Sequence, residues 1–245
     1  MRVVRDGRPA LLCLPHAGAS AAWYAAWRRS LDDCVDVVPV ELPGRGRRHR
    51  EPPSTSVPEL VDSVRCAAHD RADGPVILYG HSLGALLAYE LAHDLAAAGR
   101  PPALLVVSGR NAPSRVSERP PVHHLPDDEL VEAIGDYAGT PREVLADRQL
   151  LDPFLPQLRA DLRAAETYRY RARDPLAVPL LVLQGRDDLL VSADGVRAWR
   201  EETVRECDVV WCTGGHFFHQ QRGFAAETLR PRLLSSRAGS AAGGS

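Results

Sequence analysis

Short apolar runs bounded by Gly or Pro recur along the chain at residues 11–14, 35–40, 76–79, 104–107, 178–183 and 209–212. They carry Val and Leu at successive positions rather than alternate ones. Both faces of each strand are therefore expected to be covered, as in a parallel sheet between two helical layers. Helical patterns separate the runs, over residues 22–31, 57–71, 83–98, 192–204 and 218–234. Strand and helix in steady alternation predict an α/β protein with a doubly wound, mostly parallel sheet.

One stretch breaks the rhythm. From about residue 115 to 173 no strand pattern occurs, only helical ones. In the longest, Leu151, Phe154, Leu155, Leu158, Leu162, Ala165 and Tyr168 recur at three- and four-residue steps and predict one apolar helix face. Such an insertion between core strands is either a packed helical subdomain or a lid, and its place in the chain favours the lid. The Ser, Gly and Ala composition after residue 234 predicts a disordered tail, leaving residues 1–234 as a single domain.

Composition narrows the classes. The 245 residues suffice for one large core, with 44% hydrophobic and 25% charged residues. A formal net charge of −2 argues against a nucleic-acid binder. No apolar run reaches the roughly 18 residues of a membrane span. The five cysteines are scattered without a C-x-x-C pair or a signal peptide, which suggests a reduced, cytoplasmic setting. Neither a metal nor a cofactor is called for.

The chemistry concentrates at Gly80-His81-Ser82-Leu83-Gly84, between the run at 76–79 and a helix. A strand that turns sharply into a helix projects a serine from a strained backbone, and glycines on either side leave room for the turn. This is the nucleophile elbow of the α/β-hydrolase fold, with Ser82 as nucleophile. Triad members of that fold follow in the order Ser, Asp or Glu, His. His216, just past the last strand run in Thr213-Gly214-Gly215-His216, is the expected base, whereas His219 is expected at the surface or in packing. Asp187 and Asp188 both follow the run at 178–183; Asp188 is preferred as the acid that orients the imidazole. The loop Pro15-His16-Ala17-Gly18-Ala19 leaves the first strand on the same sheet edge. The N–H groups of Ala17 and Leu83 are thus expected to form an oxyanion hole, unless the loop is only a glycine turn.

Pro15-His16-Ala17-Gly18, Pro43-Gly44-Arg45-Gly46, the serine motif and Gly214-Gly215-His216-Phe217-Phe218 come in the order found in type II thioesterases, which the chain resembles. Leu125-Pro126-Asp127-Asp128-Glu129 and Glu166-Thr167-Tyr168-Arg169-Tyr170 resemble that family's lid. The resemblance implies Ser82, Asp188 and His216 as the triad, and hydrolysis of acyl thioesters on the phosphopantetheine arm of an acyl or peptidyl carrier protein. It also makes His16 and Leu158 candidates for contact with substrate. Two departures stand out: Leu189, where the family usually has Pro, and the basic stretch at 45–50. Arg47, Arg48 and Arg50 are candidates for carrier binding, against the alternative that they merely solvate a loop or pair with Glu51. The competing functions are a general carboxylesterase, a product-releasing thioesterase, and a carrier-binding module with a vestigial triad.

Overall fold

Six strands, β1 (Ala10–Leu14), β2 (Asp36–Pro39), β3 (Val76–His81), β4 (Leu104–Ser108), β5 (Leu180–Gly185) and β6 (Cys207–Cys212), form one sheet. Its order is β2-β1-β3-β4-β5-β6, and every neighbouring pair is parallel. The structure is a computed structural model that describes residues 8–69, 74–115, 119–135 and 147–235. The expected tail, the end of the helix at 57–71 and parts of the insertion lie outside the described residues.

Alternation along the strands explains their continuous apolarity. Leu12, Leu14, Leu78, Leu105, Val107 and Val182 face one layer, with Val57, Leu60, Leu86 and Trp199. Leu11, Cys13, Ile77, Tyr79, Val106 and Leu183 face the other, with Tyr24, Trp27, Phe218 and Leu229. Successive side chains on a strand point to opposite faces, so both need burial.

Helices among the described residues include α1 (Trp27–Ser30), α2 (Val57–His69), α3 (Leu83–Ala97), α4 (Asp127–Gly135), α5 (Arg148–Leu151), α6 (Leu155–Glu166) and α7 (Ala193–Arg197). Three expected helices are shorter than their patterns. The one at 22–31 divides into a 3₁₀ turn, Ala21–Tyr24, and the single turn α1. Tyr24 and Trp27, one in each piece, both turn into the core. The one at 192–204 continues past α7 as a 3₁₀ stretch and stops at Thr203, whose hydroxyl donates to the carbonyls of Leu176 and Val178. The one at 218–234 is interrupted by Gly223, at φ 88°, and resumes with a π-helical turn over Ala225–Leu229.

The helical insertion lies between β4 and β5. Its own small core is Val122, Leu130, Ile134 and Leu162, with Ala17 and Leu158 packed against it. Phe154 departs from the expected apolar face and is exposed. No described helix is long and apolar enough to cross a membrane. Because β1 sits between β2 and β3, the winding direction reverses there, and in open sheets of this kind the carboxyl ends of the strands beside such a switch point, here β1 and β3, are where a ligand crevice forms.

Candidate active site

Ser82 stands at that crevice, between β3 and α3. At φ 54° and ψ −112° it is the only non-glycine with positive φ among the described residues. Such a conformation costs about 1–3 kcal/mol and persists only where its surroundings enforce it. Two enforcements are visible. A Cβ on Gly80 would lie 1.9 Å from the Gly84 carbonyl oxygen, and one on Gly84 would lie 2.2 Å from that of Leu14. The Ser82 N–H donates to the Ser108 carbonyl at 2.8 Å, which ties the elbow to β4. Leu83, the first residue of α3, is buried; its N–H has no acceptor within the helix, at the positive end of the dipole.

The loops after β5 and β6 meet over Gly185, where a Cβ would lie 2.5 Å from the carbonyls of both Gly214 and Gly215. Their contact brings His216 Nδ1 to 2.9 Å from Asp188 Oδ2. The two side chains are 6% and 0% exposed. The Asp188 carboxylate also accepts from Gln184 Nε2 at 2.7 Å and the Leu190 N–H at 2.9 Å. Burial works to raise its pKa. The bond to His216 and these two donors outweigh burial and hold the carboxyl below its ordinary value, so it is ionised at neutral pH. Asp187 is exposed instead, with its backbone N–H on the Gly214 carbonyl.

The loop after β1 turns tightly. The Ala19 N–H donates to the His16 carbonyl at 3.1 Å, and Gly18 at φ 78° fills the position of a type II turn that favours glycine. Ala17 is half-buried in this turn. Leu158 of α6 lies over it, since a Cβ on Gly18 would come within 3.1 Å of Leu158 Cδ1. His16 is buried among rings: Phe217 at 5.0 Å, His219 at 5.5 Å and His81 at 5.7 Å between centroids. Burial, then the neighbouring His216 and Arg45, push its pKa down to about 3, so it is a neutral wall of the site.

Two further histidines were not legible as site residues. His81 is fully buried with Nδ1 2.8 Å from Ser108 Oγ, and its ring lies 4.9 Å from that of His216. His219, expected at the surface or in packing, is buried with its ring 3.8 Å from His81. Its place next to the Gly-Gly-His turn was the available signal. Of the three candidate carrier arginines, Arg47 and Arg50 are exposed. Arg48 is engaged: it pairs with Glu51 and donates to the carbonyls of Glu41 and Ser63, both at 3.1 Å. Among the described residues no three His, Cys, Asp or Glu side chains are gathered as a metal ion would require.

A parallel sheet with this switch point, and a strained serine where β3 turns into α3, defines a hydrolase of the α/β-hydrolase fold. Comparison with known proteins carries the assignment further. The Thioesterase domain family model matches residues 9–231, and the chain belongs to that family. The gramicidin S biosynthesis protein GrsT of Aneurinibacillus migulanus is 34% identical over 209 residues, 85% of this chain and 82% of GrsT. Thioesterase PikA5 of Streptomyces venezuelae is 39% identical over 210 residues, 85% of this chain and 74% of PikA5. The type II thioesterase BorB from the borrelidin biosynthetic cluster superposes with a TM-score of 0.82 at 38% identity, covering 96% of this chain and 95% of BorB. The protein is a thioesterase, and by sequence and fold it groups with the type II thioesterases of secondary-metabolite biosynthesis.

Proposed function

We propose that this thioesterase releases acyl groups from the phosphopantetheine arm of an acyl or peptidyl carrier protein through an acyl-enzyme on Ser82. The observation that carries the reading is the strained serine at a helix N-terminus, with a buried His216–Asp188 pair on the loops after β5 and β6 at the same end of the sheet. Ser82 Oγ attacks the thioester carbonyl while His216 Nε2 takes its proton. Asp188, ionised and bound at Nδ1, keeps the imidazole in the tautomer that leaves Nε2 free and stabilises the imidazolium. The N–H groups of Leu83 and Ala17 receive the oxyanion. Collapse expels the pantetheine thiolate, protonated by His216, and a water activated by the same base then frees the carboxylic acid.

The insertion is read as a lid that bounds the acyl chain, since it packs on the turn bearing Ala17. The five cysteines are scattered along the chain without a C-x-x-C pair, which favours a reducing compartment, and we place the reaction in the cytoplasm. Relatives named for gramicidin S biosynthesis and for a borrelidin cluster support a carrier-bound substrate. Carrier proteins are expected to be acidic, and Arg47 and Arg50 offer exposed positive charge on the loop after β2. The test compares one acyl group on a carrier protein and on coenzyme A. The carrier thioester should show the higher kcat/KM, and salt should erode the advantage. Arg47→Ser/Arg50→Ser should lower kcat/KM for the carrier substrate alone. Equal kcat/KM for both thioesters would remove the carrier from the reading and favour a general esterase.

A further inference from the structure

The buried ion pair beneath the turn at residues 16–19 does work that the triad does not account for. Arg45, 4% exposed, and Asp161 of α6, fully buried, form a two-pronged pair with both N–O distances at 2.6 Å. Neither charge is idle toward the loop. Asp161 Oδ2 also accepts the Gly18 N–H at 2.8 Å, and Arg45 Nη1 also donates to the Ala19 carbonyl at 3.0 Å. One turn earlier on α6, Gln157 Nε2 donates to the Gly18 carbonyl at 3.2 Å. The turn itself contributes a single internal backbone bond, from Ala19 to His16. Its anchorage therefore comes largely from the inserted helix and from the Pro43-Gly44-Arg45-Gly46 loop.

We propose that Arg45, Asp161 and Gln157 are positioning residues that clamp the Ala17 loop to helix α6, so that the oxyanion hole is complete only while this helix is docked. The proposal rests on the reading of Ala17 as an oxyanion donor. An oxyanion donor acts over a narrow range, about 2.7–3.1 Å, and an offset of about half an ångström already weakens it. A glycine turn with few side chains of its own does not hold that tolerance without outside ties. Without α6 in this place the Gly18 N–H loses its acceptor and Arg45 its partner. The position of the Ala17 N–H is thereby tied to the packing of α6.

A buried pair replaced as a unit by apolar residues of similar volume usually preserves stability, whereas removing one partner does not. The double variant Arg45→Met/Asp161→Leu thus separates positioning from folding. Gln157→Leu removes the remaining tie without touching a charge and gives a second route should the double variant fold poorly. In folded protein, the double variant should lower kcat on a small thioester on the order of 10²-fold, comparable to loss of one oxyanion donor. Gln157→Leu should lower it several-fold. KM should stay within about threefold, and affinity for an alkyl trifluoromethyl ketone, which mimics the tetrahedral oxyanion, should fall in parallel with kcat. A merely structural pair would move Tm and leave this correlation absent. Folded variants with kcat and ketone affinity within about twofold of wild type would overturn the clamp. Wild-type protein that forms no adduct at Ser82 would overturn the underlying reading as well, and intact-mass analysis distinguishes the two failures.

Discussion

His16, His81 and His219 lie buried against one another beside His216, and the proposed mechanism uses none of them to carry a proton. Burial holds all three below the ordinary imidazole range, His16 at about 3 and the other two well below it. In the unfolded chain they take up protons below about pH 6.5, while the folded protein keeps them neutral. Stability is therefore complete at neutral pH and falls as the solution is acidified, by about 2 kcal/mol per histidine between pH 7 and pH 5. Asp188, depressed in the fold, loses its contribution only at still lower pH, below its unfolded value of about 3.9. Denaturant midpoints at pH 7 and pH 5 measure this. The His219→Leu variant should show a slope reduced by about one proton, and a midpoint independent of pH would contradict the account. His219 is a suitable site because neither ring nitrogen finds a partner, so an apolar replacement costs little. At the same scale, Asp188→Asn should lower kcat on the order of 10⁴-fold, by analogy with serine proteases, while Asp187→Asn stays mild. The reverse ranking in steady-state rates would move the acid to Asp187. The motif favoured Asp188 without fixing the choice; which carboxylate faces His216 depends on how the loops after β5 and β6 pack over Gly185.

At the level of elements, the strands were legible because burial on both faces writes an uninterrupted apolar run. The elbow was legible because its glycines answer to backbone clashes within a few residues. Short helices were not: 3₁₀ and π turns differ from α-helix by a hydrogen-bond register that side-chain periodicity does not record. The apolar stripe of the insertion was read correctly at Leu151, Leu155 and Leu162, which are buried, and failed at Phe154, where a 3₁₀ turn, Asp152–Phe154, rotates the side chain into solvent. Leu158 remains half-buried over Gly18, at the junction of the insertion and the loop after β1. Leu158→Ala should change the ranking of acyl chains more than the rate on a minimal ester, because it enlarges the acyl side of the site and leaves Ser82 and His216 in place. Hydrolysis rates over a series of acyl lengths measure it. An unchanged profile would mean that the insertion is packing and not a substrate boundary.

Across the whole molecule, the parallel order β2-β1-β3-β4-β5-β6 gathers the Ala17 loop, Ser82, Asp188 and His216 at one end of the sheet, although they span 200 residues of chain. That convergence was readable from strand alternation together with the rule that sites form at the carboxyl ends of parallel strands. The Arg45–Asp161 pair was not, because its members lie 116 residues apart and neither position shows by pattern that it is buried. Arg45 sat in a run of basic residues that invited a single surface role, yet burial sends Arg45 inward, Arg48 to Glu51, and only Arg47 and Arg50 to solvent. The proposed function turns on acylation of Ser82 by a thioester and transfer of the acyl group to water. Rapid-quench intact-mass analysis of the full chain with an acyl-carrier thioester tests it directly. The account predicts a transient mass increase of one acyl group, mapped by peptide fragmentation to Ser82 and absent from Ser82→Ala, whose turnover falls by several orders of magnitude. Turnover of Ser82→Ala near the wild-type rate, or an acyl group mapped to another side chain, would contradict it.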